Sequence, residues 1–398
     1  MLYRTIPKTG DKLSILGFGC MRLPEKDGKI DEVRAMRQIR YAIDRGVNYI
    51  DTAWSYHMGE SEPFLGRALS DGYREKARLA TKLPSWLVHS REDMDRFLAA
   101  QLAKLQTDHI DYYLIHVLDN IEKLAYLETC GLTAFLDQAK EEGKIINAGF
   151  SFHGPTDDFA PIVDAYPWEF CQIQYNILDE QNQAGTKGLK YAAEKRLGVI
   201  IMEPLRGGNL TIPVPPAIGD IWDNAPVRRT PAEWALRWVW NHPEVTVVLS
   251  GMNREEDIEE NLRTAHEAYA GSLSKGELVV INAVTETYRK LMKIGCTGCQ
   301  YCMPCPSDVD IPLCFEVYNN KYMFKNPDSE MLYVIRVSGI LTNGPEHFAS
   351  QCTQCMECIE KCPQHLDIPT LLRTIADEME GEGFEERKKI AADIFADQ

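Results

Sequence analysis

Residues 77–117 read ARLATKLPSWLVHSREDMDRFLAAQLAKLQTDHIDYYLIHV, and this stretch indicates the fold of most of the chain. Its two ends, ARLATKL (77–83) and DYYLIHV (111–117), are short apolar runs, and Arg91–Leu105 between them has helical spacing of apolar residues. Near-continuous apolar runs predict strands that are covered on both faces, which requires parallel pairing through helical crossovers. The stretch therefore predicts a strand-helix-strand unit.

The same alternation continues to about residue 270. Further helical spacing covers Val33–Arg45 and Pro231–Trp240, and further strand candidates are LSILGFG (13–19), NYIDTAW (48–54), NAGFSFH (147–153), FCQIQYN (170–176), GVIIMEP (198–204) and VTVVLSG (245–251). Eight strands that are each followed by a helix predict a (β/α)8 barrel of the TIM type, with residues 2–14 as a hairpin closing its bottom. A doubly wound open sheet is the alternative, but no G-x-G-x-x-G follows an early strand.

Titratable side chains fall where these strands end. Asp51, Lys82 and His116 lie at the carboxyl ends of the second, third and fourth strands, and Tyr56 follows in the loop after Asp51. A lone Asp or Lys there is more often half of an ion pair than a catalyst. Four such residues on one rim are harder to explain structurally, because burying polar groups costs stability. In a barrel, that rim carries the active site.

Eight of the twelve cysteines form two runs near the C-terminus, each ending in Cys-Pro. The second run, Cys352-x2-Cys355-x2-Cys358-x3-Cys362, has the bacterial ferredoxin spacing, and two runs are what two [4Fe–4S] clusters require. The first run is one residue shorter before its last cysteine, and consists of Cys296, Cys299, Cys302 and Cys305. Zinc ribbons are the alternative, but they use two pairs of cysteines rather than two quartets with trailing prolines.

The chain has 398 residues, with 43 Lys or Arg and 59 Asp or Glu, and a formal net charge of −16. This acidity argues against nucleic acid or an anionic membrane as a partner. We see no signal peptide and no uncharged apolar stretch long enough to span a bilayer. We therefore expect a cytoplasmic protein that keeps its thiols for metal rather than for disulfides.

Three stretches of the barrel region carry a resemblance. YIDTAWSYHMGESE surrounds Asp51 and Tyr56, LATKL surrounds Lys82, and HIDYYLIHVLD surrounds His116. Together with the opening YRTIPKTGDKLSILGFGCMRL, they resemble the aldo-keto reductase family over roughly residues 1–270. The whole chain resembles the branch of that family that carries a ferredoxin-like C-terminal extension.

The resemblance implies a catalytic tetrad of Asp51, Tyr56, Lys82 and His116. Tyr56 would donate a proton to the carbonyl oxygen, Lys82 held by Asp51 would lower the pKa of the phenol, and His116 would orient the carbonyl. In the oxidising direction, ionised Tyr56 would be the base.

The resemblance also implies a nicotinamide cofactor. Phe152 stands where many members have Asn, and Met202 where many have a Tyr stacked on the nicotinamide. The cofactor-binding residues that it implies are Gly19, Cys20, Met21, Asp51, Ser151, Gln172, Met202, Pro204, Leu205, Gly251, Asn253 and Asn261.

VLSGMNREEDIEENL (248–262) resembles the family's phosphate-binding stretch. We expect Asn253 to cap a helix with Glu256 as its capping-box partner, which would leave helix N–H groups facing a phosphate. Glu255, Glu256 and Asp257 would repel the 2′-phosphate of NADP, with Arg254 as the counterweight. We therefore favour NAD(H) over NADP(H).

Residues 275–398 are expected to form a second domain, after the barrel at 1–270. Helices are predicted at Glu277–Met292, Leu313–Met323 and Met331–Leu341, and the tail after Glu378 is expected to be a solvated helix or disordered. The segment resembles α-helical ferredoxin modules, which implies crossed ligation: Cys362 completes the cluster of Cys296, Cys299 and Cys302, and Cys305 that of Cys352, Cys355 and Cys358. The alternative is that each run serves its own cluster.

The sequence thus predicts an iron–sulfur aldo-keto reductase that transfers hydride between a nicotinamide and a small carbonyl or alcohol. Because clusters pass single electrons and nicotinamide takes a hydride, direct exchange between them is awkward. Two alternatives remain open. One is an electron-transfer oxidoreductase in which a flavin, indicated by no motif, or an electron-transfer protein docking near the clusters links the two chemistries. The other is a non-catalytic nicotinamide-binding redox sensor.

Overall fold

The computed structural model describes residues 1–211, 214–296, 298, 302–325, 327–340, 344–362 and 364–395. The predicted cluster ligand Cys299 and the predicted helix end Leu341 lie outside these residues. The chain divides into two compact units, Met1–Thr211 with Arg229–Leu278, and Ile212–Arg228 with Val279–Gln398. The predicted domain limits of 1–270 and 275–398 stay a prediction.

Eight parallel strands close the first unit into a barrel, in the order β10-β11-β12-β3-β6-β7-β8-β9. The strands in chain order are β1 (Tyr3–Thr5), β2 (Lys12–Ser14), β3 (Leu16–Gly19), β4 (Glu25–Lys26), β5 (Lys29–Ile30), β6 (Tyr49–Asp51), β7 (Arg78–Leu83), β8 (Ile110–Ile115), β9 (Ile145–Phe152), β10 (Phe170–Gln174), β11 (Gly198–Met202) and β12 (Val247–Ser250). The predicted barrel is confirmed, and each predicted strand overlaps a barrel strand.

The first predicted strand is shorter than expected. Residues 13–14 belong instead to β2, which pairs antiparallel with β1. The chain changes partner here because the Ser14 N–H donates to Asn48 Oδ1 at 2.7 Å rather than to a barrel strand. The predicted hairpin is confirmed: its Ile6 and Leu13 are fully buried with Tyr49, Phe170 and Val247, residues near the amino ends of barrel strands. The hairpin therefore closes the bottom of the barrel.

Helices follow the barrel strands where the sequence predicts them. α9 (Pro231–Trp240) has the predicted bounds, begins with Pro231 and is capped by the Thr230 hydroxyl, which accepts from the Glu233 N–H. The helices from residue 32 to residue 265 are α1 (Glu32–Asp44), α2 (Ser61–Ala68), α3 (Arg91–Lys104), α4 (Ile121–Thr129), α5 (Leu132–Glu141), α6 (Thr156–Ala165), α7 (Gly185–Glu194), α8 (Pro216–Asp223), α9 (Pro231–Trp240) and α10 (Glu255–Ala265). Of these, α8 belongs to the second unit.

The second unit is helical in its described residues. After α11 (Lys275–Leu291), its helices are α12 (Ile311–Phe324), α13 (Ser329–Val337), α14 (Glu357–Lys361), α15 (Ile368–Met379) and α16 (Phe384–Phe395). The predicted C-terminal helices overlap α11, α12 and α13, and the tail after Glu378 contains α16. Phe315, Tyr333 and Leu372 are fully buried in the core of this unit, against which several of the cysteines predicted to bind the clusters pack.

Every helix in the described part of the chain is too short or too polar to cross a membrane.

Candidate active site

Parallel strands bring the predicted tetrad to the carboxyl-terminal rim of the barrel. Asp51 is the last residue of β6, Lys82 is the last but one of β7, and His116 directly follows β8. Asp51 lies beside Gly19 of β3 and Ala80 of β7 in the sheet. Neighbouring strands therefore end beside one another, which places the four side chains around one opening.

The Lys82 ammonium is the centre of the arrangement. Its Nζ donates to Asp51 Oδ1 at 2.8 Å, to the Thr52 carbonyl at 2.6 Å and to the Tyr56 hydroxyl at 3.3 Å. Lys82 is fully buried and Asp51 is 2% exposed. Burial lowers the pKa of Lys82, but Asp51 and Tyr56 outweigh it, so the net pKa lies above the ordinary value. The lysine is therefore held as a buried cation.

Burial and Lys82 act in opposite directions on the pKa of the Tyr56 phenol. Lys82 lowers this pKa, as predicted, but burial raises it and outweighs Lys82, so the net direction is upward. The prediction counted the ammonium and did not count the lost solvation. Tyr56 therefore keeps its proton at neutral pH, with a cation beside the oxygen that would carry charge on ionisation.

His116 lies against the same opening. Its ring centre is 6.3 Å from that of Tyr56 and 5.2 Å from that of Trp86. Burial and the nearby Lys82 ammonium hold the pKa of His116 well below the usual histidine value. Its Nδ1 is buried and has no hydrogen-bond partner within the described chain. The ring is therefore neutral at pH 7, and its Nδ1 is a buried polar atom without a partner in the described chain.

Ser151 and Gln172 lie next to each other, paired across β9 and β10. The Ser151 hydroxyl accepts from the Val117 N–H at 2.9 Å, and Gln172 Nε2 donates to Met202 Sδ at 3.6 Å. Gln172 Oε1 is buried and unpartnered within the described chain. An acceptor left unsatisfied in the protein fits an amide donor from a ligand, such as a nicotinamide carboxamide. Phe152, by contrast, is fully buried and packs on Phe159, with ring centres 5.1 Å apart.

The segment after β3 places two side chains in opposite environments. Cys20 is fully buried and burial raises the pKa of its thiol, whereas Met21 is exposed. After β11, Pro204 and Leu205 begin the loop in which Gly207 and Gly208 have φ values of +70° and +97°. Both segments lie at the carboxyl ends of their strands, as the cofactor prediction requires.

The helix after β12 begins differently from the prediction. Its N-cap is Arg254, and Asn253 makes no side-chain cap, so the predicted capping box of Asn253 and Glu256 is wrong. The Asn253 carbonyl instead accepts from Gln38 Nε2 at 3.1 Å, which holds this residue outside the helix. Asn261 is buried and donates to Ser250 Oγ at 3.0 Å, so it ties α10 to the end of β12 next to Gly251.

Charges at the start of α10 are paired more extensively than the sequence indicates. Arg254 makes a bidentate pair with Asp257, in which Nε and Nη2 of the guanidinium each donate to one carboxylate oxygen. Glu255 is held by Arg34 in the same bidentate way and also by Arg37, 3.1 Å away. Two cations of α1, Arg34 and Arg37, therefore join Arg254 beside the three carboxylates that the sequence indicates.

The cysteines of the second unit gather in the described residues. Cys302, Cys305, Cys352, Cys355 and Cys358 line one pocket. Burial raises the pKa of Cys358, and the thiols of Cys352, Cys355 and Cys305 act in the same direction. Cys305 therefore lies with the second run although it belongs to the first.

A hydrogen bond fixes this juxtaposition. The Ser307 and Thr353 hydroxyls are 2.7 Å apart, and they follow Cys305 and Cys352 closely in sequence.

Cys362 is 9% exposed within the core on which Cys296 packs. Within the described residues, no group of three or more His, Cys, Asp or Glu is arranged to hold one metal ion. The thiolates of a cubane bind different iron atoms, so they stand further apart than the ligands of a single ion.

Comparison with known proteins agrees with both units. Residues 15–271 match the model described as "Aldo/keto reductase family". The chain belongs to the aldo/keto reductase family. Residues 295–366 match a model described as "4Fe-4S dicluster domain". This aldo/keto reductase therefore carries an iron–sulfur domain of the two-cluster type after its barrel.

Three relatives of this aldo/keto reductase are between 26% and 29% identical to it. An aldo-keto reductase, YhdN, of Bacillus subtilis is 29% identical over 53% of this chain, a match that spans only 64% of that relative. L-Galactose dehydrogenase of Arabidopsis thaliana is 26% identical over 72% of this chain and 95% of its own length. The solved holo form of aldo-keto reductase AKR11C1 from Bacillus halodurans is 26% identical, with a TM-score of 0.59, over 71% of this chain and 96% of that one. These relatives establish an oxidoreductase family.

Sequence reasoning missed the polar network behind Lys82 in this aldo/keto reductase. Glu62 is fully buried, and its Oε1 accepts from Thr81 Oγ1 and Gln101 Nε2, both at 2.7 Å. Gln101 also donates to the Lys82 carbonyl at 3.0 Å and accepts from the Tyr113 hydroxyl at 2.8 Å. The network fixes the backbone that carries the ammonium. Helical spacing in α3 gave no sign of it, because a buried glutamine resembles an exposed one in sequence.

Proposed function

We propose that the protein transfers hydride between a nicotinamide cofactor and a small carbonyl or alcohol at the carboxyl-terminal rim of the barrel. The observation that carries the proposal is the buried Lys82 ammonium, which lies between the Asp51 carboxylate and the Tyr56 hydroxyl. Burying an ion pair is costly, and a hydrophobic replacement is often as stable. An ammonium held against a phenol is chemically useful, since it stabilises the charge that forms when the phenol gives up its proton.

Tyr56 is the proposed proton donor. Reduction of a carbonyl leaves negative charge on its oxygen, and a hydroxyl within hydrogen-bond reach can neutralise that charge. The raised pKa of Tyr56 keeps the phenol protonated before reaction. As the proton leaves, Lys82 at 3.3 Å stabilises the phenolate without moving, because Asp51 and the Thr52 carbonyl already hold it. In the oxidising direction the same phenolate accepts the proton.

His116 is proposed to orient the substrate oxygen. Its lowered pKa keeps the imidazole neutral, so an N–H can donate to the carbonyl without adding a second cation beside Lys82. Trp86 packs against the ring and limits its orientations. The pocket for the substrate would then be bounded by these rings.

The nicotinamide, when bound, supplies or accepts the hydride. Gln172 and Ser151 are proposed to hold its carboxamide, because Gln172 offers a buried unpartnered oxygen and Ser151 retains a hydroxyl hydrogen. The remaining proposed cofactor-binding residues are Gly19, Cys20, Met21, Asp51, Met202, Pro204, Leu205, Gly251, Asn253 and Asn261.

NAD(H) remains the favoured cofactor, because the arginines that could bind a 2′-phosphate are already paired. Arg254 and Arg34 could each bind a 2′-phosphate, but both already make bidentate pairs with carboxylates. Asp257 holds Arg254, and Glu255 holds Arg34. A 2′-phosphate would have to displace a carboxylate from one of these arginines, whereas NAD requires no such exchange.

The second unit is proposed to hold two [4Fe–4S] clusters with crossed ligation. Cys305 completes the set of Cys352, Cys355 and Cys358, supported by the bond between Ser307 and Thr353. Cys362 completes the set of Cys296, Cys299 and Cys302. Cys355 and Met356 are exposed, so the first of these clusters would lie near the surface, where an electron-transfer protein could dock.

Replacing Tyr56 by Phe tests the hydride-transfer proposal. Tyr56→Phe should lower kcat for reduction of a simple probe, 4-nitrobenzaldehyde, by about 10²–10⁴-fold, since it removes the proton donor. Binding of NADH, measured by fluorescence titration, should change little. Tyr73→Phe is the matched control, because its hydroxyl donates to Asp44 at 2.9 Å on the exposed surface. Full turnover by Tyr56→Phe would refute the proposed role of the phenol.

A further inference from the structure

The backbone that follows Tyr56 adopts an unusual conformation. His57 and Met58 have φ values of +51° and +55°, and Gly59 has +87°. A left-handed conformation costs an L-residue roughly 1–2 kcal/mol, so two such residues in succession require support from their surroundings. The strained turn directly adjoins the proposed proton donor. The contacts of His57 show what supports it.

The His57 imidazole is held at both nitrogens. Its Nε2 accepts from the Leu23 N–H at 3.1 Å, and its Nδ1 lies 3.0 Å from Glu25 Oε1. Only 7% of the side chain is exposed. Because Nε2 must accept, the hydrogen of the neutral ring is on Nδ1, where it can be donated to Glu25. The ring therefore makes both bonds only in this neutral form.

Both partners of His57 belong to the segment that follows the first barrel strand. Leu23 comes directly after the short 3-10 helix Cys20–Arg22, and Glu25 begins the β4–β5 hairpin. A second bond joins the same regions, since the Ser61 hydroxyl donates to the Cys20 carbonyl at 3.4 Å. The proposed cofactor-binding residues Gly19–Met21 and the proposed proton donor are thereby linked through His57.

We propose that His57 is a positioning residue, whose neutral imidazole fixes the turn carrying Tyr56 against the Gly19–Met21 segment through its bonds to Leu23 and Glu25. The inference rests on the proposed function, and it assigns His57 no contact with substrate. Hydride transfer requires donor and acceptor to be aligned closely, and misplacement by about 1 Å can cost about 10²-fold in rate. A residue that sets this distance would affect kcat more than cofactor affinity.

Protonation of His57 breaks the link. An N–H on Nε2 can no longer accept from Leu23, although the cation would still attract Glu25, the charged side chain that the structure places against this ring. Burial lowers the pKa of His57, and Glu25 opposes this only in part. The stabilising bond is therefore present above the ordinary histidine pKa of about 6.5 and is lost as the pH falls through the lower folded value.

Hydrogen exchange of the cofactor-free protein tests the link directly. After correction for intrinsic rates, a peptide containing the Leu23 amide should lose protection in the wild-type protein as the pH falls below the ordinary histidine pKa of about 6.5. His57→Gln can accept and donate but cannot titrate, so its protection should not change with pH. His57→Gly fits the backbone at φ +51° yet removes the link, so protection should be low throughout. Protection that is independent of pH in the wild-type protein would overturn the proposal.

Turnover supplies the second readout, with 4-nitrobenzaldehyde and saturating NADH. The kcat of the wild-type protein should decrease as the pH falls below the ordinary histidine pKa of about 6.5, and the kcat of His57→Gln should not. His57→Gly should lose about tenfold in kcat with little change in NADH affinity. His109→Gln is the matched control, because His109 pairs with Asp108 just before β8, at the opposite end of the barrel. An acid fall that persists in His57→Gln would refute the role. If no variant, including the wild-type protein, reduces any carbonyl, the proposed function fails, while hydrogen exchange still decides the link.

Discussion

Replacing Asp51 by Asn separates the charge of the buried ion pair from its shape. The substitution removes one negative charge 2.8 Å from Lys82 Nζ and keeps an oxygen there. Lys82 is fully buried, and its remaining partners are the Thr52 carbonyl and the Tyr56 hydroxyl, both uncharged. The ammonium must then either stay charged without a counter-ion or lose its proton.

The size of the effect follows from these two routes. Removing one partner of a buried ion pair costs about 3–5 kcal/mol. Deprotonating lysine at pH 7 costs about 4.6 kcal/mol, since about 3.4 units separate pH 7 from its ordinary pKa at about 1.36 kcal/mol each. We therefore expect Asp51→Asn to lower the free energy of unfolding by between about 3 and 5 kcal/mol at pH 7.

The loss should also depend on pH in a defined direction. In the wild-type protein the pKa of Lys82 is raised, so its contribution is complete below about 10.4 and is lost only above that value. In Asp51→Asn, the folded lysine titrates below its unfolded value, so the unfolded state binds more protons and stability rises with pH. At pH 9 deprotonation costs only about 1.9 kcal/mol, and the loss should shrink to about 2 kcal/mol.

Urea unfolding followed by tryptophan fluorescence measures this loss, because Trp168, Trp234 and Trp240 are fully buried in the barrel unit. Asp44→Asn is the matched control. Asp44 pairs with Lys76 at 3.2 Å, but the two side chains are 50% and 54% exposed, so the loss should be below about 1 kcal/mol. A loss as small as this in Asp51→Asn, or one that grows with pH, would show that Lys82 is not held as a buried cation.

Two further outcomes test the clusters and the cofactor. The anaerobic protein should contain about eight iron atoms per chain. By electron paramagnetic resonance, Cys362→Ser should damage the cluster bound by Cys296 and Cys302 and leave the cluster bound by Cys352 intact. Damage confined to the cluster of the second run would mean that each run binds its own cluster. At one ionic strength, NADH should bind more tightly than NADPH. Glu255→Gln frees Arg34, so it should reduce the ratio of the two dissociation constants by about tenfold. Tighter binding of NADPH than of NADH to the wild-type protein would refute the preference.

The barrel could be predicted because its signal is repeated along the chain. Strands such as β7 and β8 are buried on both faces, so their apolar runs are nearly continuous and easily recognised. Element ends were less accurate where one side chain decides them. The Asn48 side chain accepts a hydrogen bond from the Ser14 N–H, which lies before the first barrel strand, and Gln38 donates to the carbonyl of Asn253, which lies before α10. Both are long-range hydrogen bonds that no local pattern indicates.

For the candidate site, too, some features could be predicted from the sequence and others could not. The positions of Asp51, Lys82 and His116 follow from strand ends, since parallel strands of a barrel all end at one rim. The balance of their pKa values does not, because burial and charge act on Tyr56 in opposite directions and only the structure gives their relative size. The pairing of Glu255 with Arg34 and Arg37 could not be predicted for a different reason: α1 and α10 are far apart in sequence, so no local pattern indicates their contact.

Three departures from the ordinary rules of protein stability lie at this rim. Lys82 is a buried cation, Gln172 Oε1 is buried without a partner in the described chain, and His57 holds a backbone conformation that glycine would adopt without strain. Each lowers stability relative to a simpler residue, and chains generally keep such features where function requires them. Barrel topology explains why strand ends and loops from different parts of the sequence meet at this rim, but it does not explain why features that cost stability are kept there. The proposed cofactor binding and proton transfer would account for them.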